Sequence, residues 1–167
     1  MREATSADRE AVNAVESAAF GRPNEAALVE RIAASAGAVP GLTLVAEADP
    51  ELVGHVLFSH VEVLTANGPR AVLGLGPIAV LPDRQGEGIG SLLIRAGLDA
   101  AAETGAPLVV VLGSPAYYGR FGFIPALQMG LEPPAAFPKT NFLALPLAAH
   151  DPSIRGTVVY GPAWDGV

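Results

Sequence analysis

The stretch Val80-Leu81-Pro82-Asp83-Arg84-Gln85-Gly86-Glu87-Gly88-Ile89-Gly90 constrains this chain more than any other. An apolar run over residues 71–80 enters a proline turn, three glycines follow at alternate positions, and an amphipathic run covers residues 91–103. The pattern predicts a strand, a loop whose backbone approaches a ligand closely, and a helix N-terminus. Glycine permits both unusual dihedrals and close contact. The first-turn N–H groups of a helix have no intrahelical partner, so such a junction aims several donors at one anion. A phosphate-bearing ligand is implied. Two familiar phosphate loops do not fit. A P-loop needs a Gly-Lys pair, and the chain has none. The dinucleotide fingerprint needs Gly-x-Gly-x-x-Gly; counted from Gly86, the third glycine comes one position early, at Gly90.

The chain has 167 residues, enough for one domain with a sizeable core, and a single domain over residues 1–167 is expected. Half of its residues are hydrophobic, which argues for a globular chain rather than a disordered one. Cysteine is absent, so disulfides and thiolate metal sites are excluded, and His55, His60 and His150 show no ligand spacing. No metal is expected. The net charge of −7 argues against a nucleic-acid partner held by a broad basic face. It does not argue against a polyanionic ligand held by local N–H groups, and it mildly favours a substrate carrying an amine. The N-terminus has no apolar signal core, and no apolar run approaches the ~20 residues of a membrane span. No membrane association and a cytoplasmic location are expected.

The periodicity predicts a short first strand over residues 2–5, then a helix to about Phe20 capped by Ser6 or Asp8. A second helix should run to about Ala36, ended by Gly37 and Gly41. Three strands follow, over residues 42–48, 52–64 and 71–80, joined by the turns Asp49-Pro50-Glu51 and Asn67-Gly68-Pro69. After the glycine loop and its helix, residues 108–112 form a continuous apolar run, as in a strand buried on both faces. The strand–helix–strand unit should set this run parallel to residues 71–80. Residues 115–121 read as a short helix, and residues 142–147 and 157–160 as late strands. The fold class is α+β, with helices around a mixed sheet. The late strands offer an edge through which two copies can pair as a homodimer.

Gln85, Gly88 and Gly90 fit a Gln/Arg-x-x-Gly-x-Gly/Ala element, preceded by Ile78-Ala79-Val80 and Pro82. A second element, Tyr118 to Phe123, fits Tyr-x-x-x-Gly-Phe after the strand that follows the glycine-loop helix. Together they resemble the acetyl-coenzyme A signature of the GNAT superfamily of N-acetyltransferases. The doubled tyrosine in Pro-Ala-Tyr-Tyr with Arg-Phe-Gly-Phe is similar to one group of small bacterial members. The resemblance is specific over residues 73–125 and loose outside them. It implies a GNAT-like fold with a mostly antiparallel sheet and a splayed parallel pair. It also implies acetyl-CoA as cosubstrate and transfer of the acetyl group to an amine on a small molecule or peptide.

The resemblance places a backbone N–H of the strand ending in Ile78, Ala79 and Val80 beside the thioester carbonyl, where charge develops. The pyrophosphate would meet Gln85, Gly86, Glu87, Gly88, Ile89 and Gly90, with Ser91 as a further donor. Tyr118 would supply the proton taken by the departing thiolate. Gly74, Gly76 and Pro77 are plausible formers of a bulge or kink in the same strand. Members of the superfamily often carry a basic residue just before Gly88, and this chain has Glu87 there. Arg84, Arg95 and Arg120 are candidates for the phosphates. The strand over residues 71–80 has no carboxylate to serve as a base. Glu62 and His60 are the nearest titratable candidates and should share one face of the preceding strand; water is the alternative. A CoA-binding sensor or interaction module without catalysis is the rival from another class, and an acyl group larger than acetyl is a third option. The acceptor is not encoded in any residue pattern.

Overall fold

A computed structural model describes residues 1–165. The chain divides into two compact units. The first consists of Met1–Ser59, Gly76–Ala100 and the segment from Pro162 onward; the second consists of His60–Leu75 and Ala101–Gly161.

In the first unit, β1 (Arg2–Glu3) is followed by a 3-10 turn, Ser6–Asp8, and by α1 (Arg9–Phe20). The Asp8 carboxylate starts this helix by accepting from the Thr5 N–H at 2.7 Å and from the Thr5 hydroxyl at 2.9 Å. The Arg2 guanidinium grips the same carboxylate at 2.7 and 2.8 Å. Gly21 closes α1 at φ 66°, a left-handed conformation suited to glycine. α2 (Asn24–Ala33) buries Glu25, Leu28, Val29 and Ile32, the three- and four-residue spacing of one helix face. It ends three residues before the expected Ala36. The N–H of Ala34 turns back onto the carbonyls of Glu30 and Ile32, and β2 (Ala38–Ala48) starts early because its first residue already pairs with Ser59. Backbone pairing overrides the glycines as the boundary.

β1 pairs antiparallel with β2 at Arg2↔Val45, and β2 pairs antiparallel with β3 (Glu51–Thr65) at Val45↔His55. β4 (Gly68–Val80) follows β3, and the order in this unit is β1-β2-β3-β4. Val12, Leu28, Val29, Ile32, Val45 and Leu57 form the core between the helices and one face of these strands. α3 (Ile89–Glu103) lies very close to β3. A Cβ on Gly97 would sit 2.3 Å from the Phe58 ring, and one on Gly54 would sit 2.9 Å from Leu93 Cδ1. Two missing side chains therefore let α3 seat on the strand and fix where its N-terminus emerges.

The second unit contains residues 60–65 of β3 and 68–75 of β4, then β5 (Leu108–Leu112), α4 (Pro115–Tyr118), β6 (Ile124–Pro125), β7 (Leu131–Glu132), β8 (Phe142–Pro146) and β9 (Gly156–Val159). The order is β3-β4-β5-β8-β6, with β9 on β3 and β7 on β9. Val61, Val63, Val72, Leu108, Val110, Phe142, Ile154 and Val158 belong to its core. β4 and β5 are parallel, as expected, but their ladder is short: its pairs are Leu73↔Val109 and Gly74↔Val110, while β5 runs on to Leu112. The late strands do not offer the open edge expected of them. β8 lies between β5 and β6, and β9 between β3 and β7. The two-residue strands β6 and β7 gave no sequence signal, being too short to show a period.

Candidate functional site

The glycine loop is built as its spacing demands. β4 ends at Val80, the Leu81 N–H bonds the Val53 carbonyl at 2.9 Å, and a 3-10 turn, Pro82–Arg84, redirects the chain. Gln85 is extended, and its side-chain amide returns to the Val80 carbonyl at 3.1 Å, tying the loop to the strand end. Gly86 and Gly88 have φ of 84° and 85°, where a side chain is strained. Glu87, between them, is exposed. α3 begins at Ile89, and the Leu92 N–H bonds the Gly88 carbonyl at 3.0 Å. By helix geometry the N–H groups of Ile89, Gly90 and Ser91 point out of the first turn toward the loop. The α3 macrodipole adds positive potential there.

The arginines divide by environment. Arg84 is held by Glu87 in a fork, with Nε at 3.0 and 3.1 Å from the two carboxylate oxygens and Nη2 at 3.0 Å. Each partner shifts the other: the hydrogen bond raises the Arg84 pKa and lowers that of Glu87. An anion at the loop would have to compete with Glu87 for this guanidinium. Arg120 donates to the Tyr117 carbonyl at 3.1 Å and lies over the Tyr117 ring at 4.4 Å, so Tyr117 engages it. Arg95 lies on an exposed position of α3.

Upstream in β4, Gly76 has φ 141° and precedes Pro77 through a cis peptide. Pro77 cannot donate a ladder hydrogen bond. Ala79 is buried, while Ile78 and Val80 are half-buried. The strand is therefore irregular at the positions where the sequence placed a bulge or kink. The indole of Trp164 lies 3.7 Å from the position a Cβ on Gly76 would occupy.

Tyr118 ends α4. Its N–H bonds the Ser114 carbonyl at 2.9 Å. Its ring is buried, edge-on to Tyr117 at 5.1 Å and to Phe123 at 5.7 Å. Gly113 makes room for it: a Cβ there would stand 2.2 Å from Tyr118 Cε2. Burial, and secondarily Tyr117, push the Tyr118 phenol up to about 12. Phe123 is a core side chain, and Phe121 stacks edge-on with Tyr117 at 5.6 Å.

His60 and Glu62 share an exposed face of β3, with Val61 and Val63 buried opposite. The alternation is as expected, and the backbone of Glu62 pairs in register with Val159 of β9. A polar pair that the sequence did not reveal lies in the first unit. Glu16 of α1 and His55 of β3 are both fully buried, with Oε1 2.5 Å from Nδ1. Glu16 Oε2 and His55 Nε2 have no hydrogen-bond partner. Burial raises the Glu16 pKa against the opposing pull of His55. No local pattern marks this pair, because its members are 39 positions apart. Among the described residues no cluster of three or more His, Asp or Glu side chains is placed to hold a metal ion, and no helix is long and apolar enough to cross a membrane.

Comparisons with known proteins identify the class to which this fold and loop belong. Residues 1–126 match the Acetyltransferase (GNAT) domain family. The uncharacterized N-acetyltransferase YjhQ of Escherichia coli K12 is 36% identical over 135 residues, covering 80% of this chain and 75% of that protein. The crystal structure of the GNAT N-acetyltransferase YhbS from Escherichia coli in complex with CoA has a TM-score of 0.86 at 30% identity, covering 98% of this chain and 89% of that one. A GNAT acetyltransferase from Brucella melitensis in complex with acetyl-CoA has a TM-score of 0.80 at 34% identity, covering 98% and 96%. This chain belongs to the GNAT acetyltransferase family, and its class of chemistry is acyl transfer.

Proposed function

We propose that this protein is an acetyl-CoA-dependent N-acetyltransferase that moves the acetyl group directly to a primary amine, on a small molecule or peptide, and that the chain acts as one domain. The loop carries the proposal: Gly86 and Gly88 adopt left-handed dihedrals immediately before the free donors of α3. In this reading the amides of residues 85–91 hold the pyrophosphate, and the Arg84–Glu87 fork shapes the loop without supplying net charge. The backbone of Ile78, Ala79 and Val80 receives the pantetheine arm, whose amides take the place of ladder partners. A β4 amide lies beside the thioester oxygen as it gains charge. The bound CoA and acetyl-CoA of the two solved relatives support this assignment of cosubstrate.

The amine nitrogen attacks the thioester carbonyl, the C–N bond forms, and the C–S bond breaks. The chain has no cysteine to carry an acyl intermediate. One proton must leave the nitrogen and one must reach the sulfur. Tyr118 is assigned to that transfer, but not as a simple acid. A phenol near 12 does not give its proton downhill to a thiolate, whose conjugate acid ordinarily lies near ~8.5. Tyr118 instead donates a hydrogen bond to the developing thiolate and passes its proton on as the attacking nitrogen releases one. The raised pKa keeps the O–H present at every working pH. With Glu62 and His60 on an exposed strand face, water is assigned to the initial removal of a proton from the ammonium form of the amine.

Calorimetric titration with acetyl-CoA and CoA, with NAD and ATP as controls, tests the cosubstrate. Selective binding of the two CoA ligands is expected; equal or absent binding removes the loop assignment. With an amine panel, Tyr118→Phe should lower kcat by about 10²-fold or more with little change in acetyl-CoA affinity. Unchanged turnover takes Tyr118 out of the mechanism. CoA binding without transfer to any amine would favour the sensor role.

A further inference from the structure

We infer that a cavity between the start of α1 and the end of α2 binds a free α-amino acid with an apolar side chain, at a site separate from the glycine loop. The cavity has a volume of about 510 Å³, a size suited to a small-molecule ligand. Arg9, Val12 and Asn13 of α1 form one wall, and Val29, Glu30 and Ala33 of α2 form the other. The connection from β1 to α1 and residue Thr43 of β2 close its end, joined by the hydrogen bond from the Ala4 N–H to the Thr43 carbonyl at 2.8 Å. All of these residues belong to the first unit, and the lining shares no residue with the glycine loop. The inference therefore goes beyond the assignment of acetyl-CoA and does not depend on it.

The chemistry of the walls selects the ligand. Val12 and Val29 are buried members of the core under the helices, and they give the cavity an apolar floor. Above it, Arg9 Nε donates to Glu30 Oε1 at 3.0 Å, and Asn13 Nδ2 donates to the same oxygen at 2.6 Å. These donors hold the Glu30 carboxyl below its ordinary range, so it is ionised at neutral pH. Among the described residues, Glu30 Oε2 and the Arg9 Nη groups have no hydrogen-bond partner. A negative acceptor and positive donors thus lie side by side, both open to a ligand. An amine without a carboxylate would be repelled by Arg9, and a carboxylate without an amine by Glu30. A molecule with both charges on one carbon meets the opposite charge at each end. Its ammonium donates to Oε2, its carboxylate accepts from the Nη groups, and its side chain lies on Val12 and Val29. A peptide N-terminus lacks the adjacent carboxylate, so the free amino acid is the match.

The test needs no turnover. Affinities of L-leucine, isoamylamine (leucine without its carboxylate) and isocaproate (leucine without its amine) are measured by calorimetry for the wild type, Glu30→Gln, Arg9→Gln and Ala33→Leu, with folding checked by thermal melting. The wild type should bind L-leucine saturably at one site, and each single-charge analogue about 10-fold or more weakly, because each loses a charge-assisted hydrogen bond. Glu30→Gln and Arg9→Gln should each weaken L-leucine by about 10-fold or more. Ala33→Leu leaves both charges in place and fills the cavity from an exposed position, so it should also weaken L-leucine and serves as the independent check on location. Absence of saturable L-leucine binding, equal binding of the three ligands, or folded variants with wild-type affinity overturns the inference. None of these results bears on acetyl-CoA, whose binding is read separately.

Discussion

Replacing Gly113 with alanine isolates what the position of Tyr118 contributes, because the new methyl group touches that ring and leaves its hydroxyl in place. The added Cβ would stand 2.2 Å from Cε2 and 2.7 Å from Cδ2 of Tyr118. Ordinary contact begins near 3.4 Å, so ring and strand end must separate by about 1.2 Å. The ring cannot give freely, since Tyr117 and Phe123 meet it edge-on at 5.1 and 5.7 Å. Forcing an extra methyl into such a site costs about 1–3 kcal/mol of stability. A displacement of about 1 Å in a group that acts on the reacting atoms costs about 10²-fold in rate. Gly113→Ala should therefore lower kcat by about 10²-fold while acetyl-CoA affinity stays near wild type. Gly119→Ala is the control: no atom lies within 4 Å of its Cβ position and its φ of −57° suits any residue, so activity should be retained. The double variant Gly113→Ala/Tyr118→Phe should be no slower than Tyr118→Phe alone, because both changes act on one hydroxyl. A folded Gly113→Ala enzyme with wild-type kcat would refute the dependence on ring position.

Gly88→Ala adds a methyl that meets nothing within 4 Å, so its cost is purely conformational, about 1–2 kcal/mol at φ 85°. The loop should relax out of shape, and calorimetry should show weaker acetyl-CoA binding with the melting temperature of the rest of the fold little changed; unaltered affinity would detach the loop from the phosphates. At the chain start, the Arg2 guanidinium and the Thr5 N–H hold the Asp8 carboxyl well below the usual carboxylate range. A lowered folded pKa contributes stability that is present above the ordinary value near ~3.9 and is lost as pH falls below it. Asp8→Asn should thus melt earlier at pH 7 and lose less of its remaining stability on acidification from pH 5 to pH 2; parallel acid curves for the two proteins would show that this carboxylate carries no linkage.

Much of the molecule follows from short-range chemistry that the sequence displays. Proline, alternating glycines and an amphipathic run can only join a strand to a helix through an open loop, so the loop at Gly86 and Gly88, the start of α3 and the buried strand β5 were legible from residue order alone. Tyr118 was singled out differently, by the family resemblance that its spacing from Gly122 and Phe123 carries. Other features depend on groups brought together across long stretches of chain. The end of α2 was set by the pairing of Ala38 with Ser59 rather than by glycine. The buried Glu16–His55 pair joins a helix to a strand 39 positions away. The Arg84–Glu87 fork gives one candidate for the phosphates a partner within the loop. The residue that borders Gly76 comes from the far end of the chain, because Arg31 and the α2 core hold Trp164 there. Local backbone preference determines which segments become elements, since each residue carries its own dihedral limits. Which side chains face one another is decided only when those elements pack, since packing energy belongs to pairs that the sequence keeps apart.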